Sequence, residues 1–371
     1  EVVRALAEEA GQLEQIGRVT LPARVFAGGV HAVVQRRLER LDDESRTLLE
    51  KSAIMGRELD VAVLQRLSGN IALEDWLAMC VNAAVLSVVG AEWSFAHDKI
   101  RLSLTEALLP AERRPLHQAV AEAIQAQYDD DTTKVALLAY HFGQAGDRPQ
   151  EERYVTYAGE QSLRTGAYQE AIAYFQRAEA LLPQLELSEQ RTQRKQVHLH
   201  QRKGEAYLGR GDYEQARTSF AESLELMRLL GDKVGIAVSM GHLANALLVL
   251  GQFDEAQTTL EPALSLYRGA GNDAGVARTL NQLGDLAYER GDQAAANAHY
   301  RDSLRLSREI GQEWGMAGAL TTRTMTVIAA KVEFTKTREH LEQRLQAAFA
   351  AGDRQTVANT LYNLGVQAHQ Q

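Results

Sequence analysis

A single cysteine, Cys80, stands among 371 residues, which leaves no disulfide framework and fits a reducing compartment. It lies in the apolar run Trp76-Leu-Ala-Met-Cys-Val81, the setting of a buried structural thiol rather than a nucleophile. Prolines number only six and aromatics make up 6%, which argues against a β-sandwich and for helices. No run approaches the roughly 18 apolar residues that a membrane span needs. No secretory leader is visible, so a cytoplasmic protein without membrane partners is expected. Positive charge is also short: 40 Lys and Arg against 49 Asp and Glu give a net charge of −9. Nonspecific attraction to DNA is therefore not expected.

Catalytic patterns are equally scarce. No Gly-x-x-x-x-Gly-Lys-Ser/Thr loop occurs, so no phosphate cradle is available and the chain is not expected to be an enzyme. His198 and His200 look like a ligand pair, yet two residues apart on a helix they point roughly 200° apart, and chelation is not expected. Ala237-Val-Ser-Met-Gly241 mimics a nucleophile elbow but falls on a helix rather than a strand-to-helix turn. Asp129-Asp-Asp131 reads as a solvated link. Neither a catalytic residue nor a metal ligand is assigned.

What the chain has is a repeat. Gly211, Gly251 and Gly291 lie 40 residues apart, and Gly231, Gly271 and Gly311 share that spacing. So do Ala237, Ala277 and Ala317, and also Ala216, Ala256 and Ala296. Several columns with one period define stacked units. Each unit reads as two amphipathic helices joined by a glycine turn, with knobs at Phe220, Leu260 and Tyr300 between units. One pair cannot bury its apolar face alone, so the pairs must stack. Arg164-Thr-Gly-Ala-Tyr-Gln-Glu-Ala-Ile-Ala-Tyr-Phe-Gln-Arg-Ala178 is an offset earlier copy. A degenerate copy starts at Lys331, and Asn363-Leu-Gly-Val opens another. Over roughly 150–371 this resembles the tetratricopeptide repeat, in the long form of MalT-type regulators.

Ahead of the repeats the pattern changes. Helices are expected over Val25–Leu41, Thr47–Met55 behind Asp42-Asp43-Glu44, after Asp60, and over about Ala72–Ala83. Val85–Val89, the turn at Gly90-Ala-Glu and Trp93–Phe95 then form one small β-hairpin, the wing of an expected winged helix. His97-Asp98 opens the next helix. The chain starts at Glu1 already inside an amphipathic pattern, as if cut from a longer protein. Glu1-Val-Val-Arg-Ala-Leu, Leu21-Pro22, Arg37-Leu-Glu-Arg-Leu41, Ala53-Ile-Met-Gly-Arg57, Phe95-Ala-His-Asp98 and Arg113-Arg-Pro-Leu-His117 occur in this order. That series is similar to the region downstream of the ATPase core in STAND-type signalling NTPases. The resemblance implies an all-α chain apart from the wing. Residues 1–20 would end an ATPase-associated helical segment, 21–128 form the winged-helix domain, and 129–371 carry about five to six helix pairs. It further implies an upstream ATPase in cis, ADP or ATP in the intact protein but no cofactor in this chain, and possible ligand-induced oligomers. Ala96-His97-Asp98 resembles the MHD motif, whose histidine contacts the β-phosphate of ADP. His97 is then the nucleotide-sensing residue and Asp98 its structural partner. Alanine replaces the motif's methionine, and Thr105 stands where many relatives place an aromatic. Gln35-Arg-Arg-Leu-Glu-Arg40 is too acidic in its surroundings for a recognition helix, so DNA contact by this segment is not expected.

The first helix of each pair lines the inner groove of such a stack. Phasing on Gly204, Ala244, Gly284 and Gly365 places Gln201, Glu205, Asn245, Arg278, Asn281, Asp285, Tyr288, Asn359 and Tyr362 there. A protein or peptide ligand is expected on that face, with Arg278, Asn281 and Asn245 able to hydrogen-bond an extended peptide or an acidic group. The degenerate repeat puts Met325, Ile328 and Ala329 at the same positions. Two readings compete: the sensor portion of a multidomain signalling NTPase, and a stand-alone repeat scaffold that assembles partners.

Overall fold

Asp42 starts the first described helix by accepting the Ser45 amide at 2.7 Å, which fills one of the orphan donors at a helix start. The computed structural model describes residues 41–129, 131–310 and 334–369. The expected segment 1–20, nearly all of the helix from Val25 to Leu41, and Met325, Ile328 and Ala329 lie outside the described residues, as do Gly311 and Ala317. The chain divides into two compact units, Glu1–Glu151 and Glu152–Gln371.

In the first unit, helix α1 (Asp43–Met55) leads to a two-residue strand β1 (Glu58–Leu59), then α2 (Val61–Leu67) and α3 (Leu73–Asn82). Strands β2 (Leu86–Val89) and β3 (Glu92–Phe95) follow, then α4 (Asp98–Ala107), α5 (Pro110–Gln127) and α6 (Val135–Ala145). The sheet is antiparallel in the order β1-β3-β2, with Leu59 and Val88 both opposite Trp93. Sequence reading expects two strands; the third exists because Phe95 N donates to Arg57 O at 3.1 Å and draws the residues after Gly56 onto β3. Two residues are too few for alternation to show. Asp60 accepts from the Ala62 and Val63 amides and so ends β1 by starting α2. Trp76, Leu48, Leu49, Leu64, Phe95 and Ile100 close the core, and the Trp76 indole donates to Ser45 O at 3.1 Å. Cys80 is fully buried there, its thiol pushed up to about 12 by desolvation, which makes it inert. Helix α6 packs on α5, which places 135–145 in the first unit rather than with the repeats.

The second unit begins in the first turn of α7 (Arg148–Arg164) and continues through α8 (Tyr168–Leu181), α9 (Glu189–Arg210), α10 (Tyr213–Leu230) and α11 (Lys233–Val249). Then come α12 (Phe253–Gly269), α13 (Asp273–Glu289), α14 (Gln293–Glu309), α15 (Phe334–Ala350) and α16 (Arg354–His369). From α9 to α14 each helix packs on the next, and α11 also packs on both α9 and α13. The result is a helical superhelix in which first helices touch first helices. The 40-residue glycine column has one cause. Gly211, Gly251 and Gly291 take φ of 90°, 72° and 80°, which residues with a Cβ avoid. Each donates to the carbonyl three residues back while the following amide reaches five back, as in Asp212 N to Tyr207 O at 2.9 Å. That pattern closes the helix end in a Schellman turn.

Ala216, Ala256 and Ala296 are fully buried, as are Phe220, Leu260 and Tyr300. The alanine column therefore sets how closely helices approach. Ala256→Val should overpack this contact and lower stability by about 1–2 kcal/mol. A urea denaturation midpoint equal to wild type would show that the column is not close-packed.

Candidate functional site: the inner face of the repeats and the hairpin–helix junction

On the inner face the structure engages some of the expected residues and leaves others unspent. Asn245, exposed on α11, accepts from the Gln282 amide nitrogen at 2.7 Å, and that nitrogen also donates to Gly241 O at 2.8 Å. Asp285 accepts from the Tyr300 hydroxyl at 2.8 Å and so braces the two helices of its own repeat. Gln201 donates to Ser239 Oγ at 3.2 Å, and Arg202 pairs with Glu205 at 2.7 Å. The Gln282, Tyr300 and Gln201 bonds hold neighbouring helices in register, Arg202 and Glu205 pair within α9, and the bonding capacity of all these groups is partly used. Arg278 is different: it is exposed and makes no hydrogen bond or ion pair among the described residues. Three residues further along α13, and so on the same face, Asn281 keeps a buried Oδ1 without a partner. Tyr288 is half-buried on α13; Asn359 is exposed on α16, and the Tyr362 side chain lies outside the described residues.

Two residues of this face escape the phasing. Gln282 is 7% exposed with an unpartnered Oε1; it sits one residue off the inner line, and a glutamine within Leu280-Asn-Gln-Leu-Gly284 was the available signal. His242 stacks on Phe220 with ring centroids 5.3 Å apart. Burial holds its imidazole below the usual range, Arg278 and Arg202 add to that, and Glu205 opposes it. The inner face between α9 and α13 is therefore a row of amides and guanidinium groups around a neutral imidazole. It can donate to backbone carbonyls and carboxylates.

At the other candidate, the Ala96 amide donates to Val85 O at 3.0 Å and extends the hairpin up to the start of α4. His97 is the N-cap residue and is exposed, and its side chain does not cap the helix. Asp98 does not cap either. It is the first helical residue and accepts from Arg101 Nε at 2.8 Å. That bond, together with the charges of Arg101 and Arg57, holds its carboxylate below the ordinary value. The junction thus gathers His97, Arg57 and Arg101 around the amide-rich start of α4.

The rejected patterns have structural explanations. His198 Nε2 meets Glu160 Oε1 at 2.9 Å, whereas His200 faces Glu179 and Glu222, so the two rings diverge. Ser239 is fully buried and shares a hydrogen bond with Ser223 at 2.9 Å. Asp131 accepts the Thr133 amide at 2.8 Å and begins a short 3-10 turn.

Residues 196–257 and 235–309 match the tetratricopeptide repeat family model. These helix pairs are tetratricopeptide repeats. They make the second unit a protein-interaction scaffold. No curated protein matches the chain. Among solved structures, the apo form of RapI is 11% identical with a TM-score of 0.48, over 100% of this chain and 98% of that one. A STAND protein with a tetratricopeptide repeat sensor from Pyrococcus horikoshii is 12% identical with a TM-score of 0.41, over 99% of this chain and 62% of that one. NprR in complex with its peptide NprX is 16% identical with a TM-score of 0.45, over 71% and 75%. Among the described residues no helix is long and apolar enough to cross a membrane.

Proposed function

We propose that this chain is the sensor portion of a multidomain signalling NTPase, with the repeats receiving a peptide or protein ligand and the first unit relaying it to a nucleotide site. The observation that carries the sensing half is the unspent pair on α13: an exposed Arg278 without a counter-ion and a partnerless Asn281 Oδ1 on the same face. A guanidinium beside an amide suits an acidic or extended peptide, since one binds carboxylate and the other backbone. Calorimetry with an extended peptide carrying two glutamates should show Arg278→Ala weakening binding by about tenfold. An unchanged affinity would return the inner face to a solvated surface and favour the stand-alone scaffold.

The relay half rests on the order α1-β1-α2-α3-β2-β3, which is that of a winged helix with β2 and β3 as the wing, and on the junction that follows. A helix start flanked by His97, Arg57 and Arg101 favours an anion through its amides, its dipole and its cations together. In this reading His97 donates to the β-phosphate of ADP, and Asp98 holds Arg101 in place. In the natural full-length protein, His97→Ala should weaken ADP binding by about tenfold or more and raise basal output, because ADP would hold only the resting state. Equal affinity with equal output would mark His97 as an ordinary surface residue.

A further inference from the structure

Helix α10 turns Phe220, Ser223 and Leu224 inward and leaves Glu222 and Glu225 outward by helical geometry. Across from it, α12 presents Glu255 and Thr259. Between the two helices lies a cleft of about 700 Å³, floored by Leu226, Leu243 and Leu247. It shares no residue with the inner-face set described above. Arg217 on its rim is already bonded to Glu214 at 2.8 Å, and Glu225 to Arg228. Glu255 has no side-chain counter-ion among the described residues.

At its base stands His200, 9% exposed. Its Nε2 faces Glu179 Oε1 at 3.5 Å, and Lys203 holds the other oxygen of that carboxylate at 2.6 Å. Burial and the Lys203 ammonium lower the affinity of the ring for a second proton, while Glu179 and Glu222 oppose them. In the neutral tautomer with its proton on Nε2, facing Glu179, Nδ1 is a bare lone pair. Glu222 Oε2 lies 3.0 Å from Nδ1, yet Nδ1 makes no hydrogen bond. In that tautomer two acceptors lie side by side without a shared proton, and a donor that reaches both atoms offsets the penalty, as does a proton taken up on Nδ1.

We propose that this cleft is a second recognition site, taking the guanidinium or ammonium head and aliphatic stem of a basic side chain presented by a protein partner. The head donates to Glu222 and His200 Nδ1, while the stem lies along Leu226, Leu243 and Leu247, as long cationic side chains do on apolar surface. Glu255 supplies charge from the facing helix. The site is independent of the inner face and of the nucleotide reading.

The test uses the full chain and calorimetry with the peptide acetyl-Ala-Leu-Arg-Leu-Ala-amide, beside the same peptide with citrulline replacing arginine. Citrulline keeps the shape and removes the charge. The arginine peptide is expected to bind about tenfold more tightly than the citrulline one, and Glu222→Gln, a surface change, should abolish most of that difference. Glu261→Gln, on α12 but outside the cleft, should leave it intact. Equal binding of the two peptides overturns the proposal, and so does an equal effect of Glu261→Gln. Binding of agmatine without binding of the arginine peptide overturns the assignment to a protein partner in favour of a free small cation.

Discussion

Gly204→Ala is expected to destabilise the repeat unit by about 2 kcal/mol, although alanine is the better helix former by roughly 1 kcal/mol. A Cβ at Gly204 would stand 2.4 Å from Phe220 Cε1 and 2.6 Å from Cζ, well inside contact distance. The ring has little room to retreat, since it is fully buried and stacks on His242. The same arrangement recurs at Gly284, where the Cβ would meet Tyr300 at 2.4 Å, and at Gly159, where it would meet Phe175 at 2.6 Å. One repeat solves the packing differently: Ala244 and Leu260 are both fully buried in one apolar cluster. Gly with an aromatic and Ala with a leucine are thus two fillings of one contact. Gly204→Ala/Phe220→Leu should then be more stable than the two single changes added together, by about 2 kcal/mol. Urea unfolding of the four proteins measures that coupling. Strict additivity would mean that the two positions do not share a contact, and an unaffected Gly204→Ala would mean that the helices part freely.

That pairing was half legible from sequence. The columns at 40-residue spacing place the turns, the small residues and the knobs, because each repeat must meet its neighbours in the same way and so leaves the same mark. The compensation between column members is a property of pairs and appears only when the two helices face each other. The hairpin was legible because Gly90 interrupts two apolar runs, while Glu58–Leu59 was not, since a strand held by one neighbour carries no pattern of its own. On the inner face the phasing finds the helix positions. It cannot tell Asn245, engaged by Gln282, from Arg278, which has no such bond, because that depends on which side chain from the next repeat reaches back. For the same reason Glu222 and His200, 22 residues apart in sequence and on different helices, gave no joint signal.

The first unit should lose stability on mild acidification, beginning near pH 6.5 and continuing to about pH 4, and its source is one buried pair. His117 on α5 and His141 on α6 face each other through Nδ1 atoms 2.9 Å apart, and they are 5% and 0% exposed. Burial lowers His117 to about 4, helped by Arg113, and lowers His141 to about 3, helped by His117. One ring donates and the other accepts, which requires that at least one of them is neutral, since two charged rings would set donor against donor. His141 Nε2 has no partner, so a proton placed there would be an unpaired buried donor. Both folded values lie below the ordinary value of about 6.5. The unfolded chain therefore takes up protons in this window that the folded chain refuses, and stability falls as pH falls. Each histidine contributes a slope of up to roughly 1.4 kcal/mol per pH unit, or about 2–4 kcal/mol for the pair by pH 5. Against the ordinary total of about 5–15 kcal/mol, that is enough to open α5 from α6. Carboxylates such as Asp42, held low by the Ser45 amide, lose their contribution only at lower pH, so the two effects separate. Amide hydrogen exchange of α5 and α6 between pH 7 and pH 4.5, corrected for intrinsic rates, reads the first unit without interference from His200 and His242 in the repeats. His117→Phe/His141→Leu should replace the pair with apolar contact and flatten the dependence above pH 4. A double variant with the same acid-induced loss of protection as wild type would place the cause elsewhere.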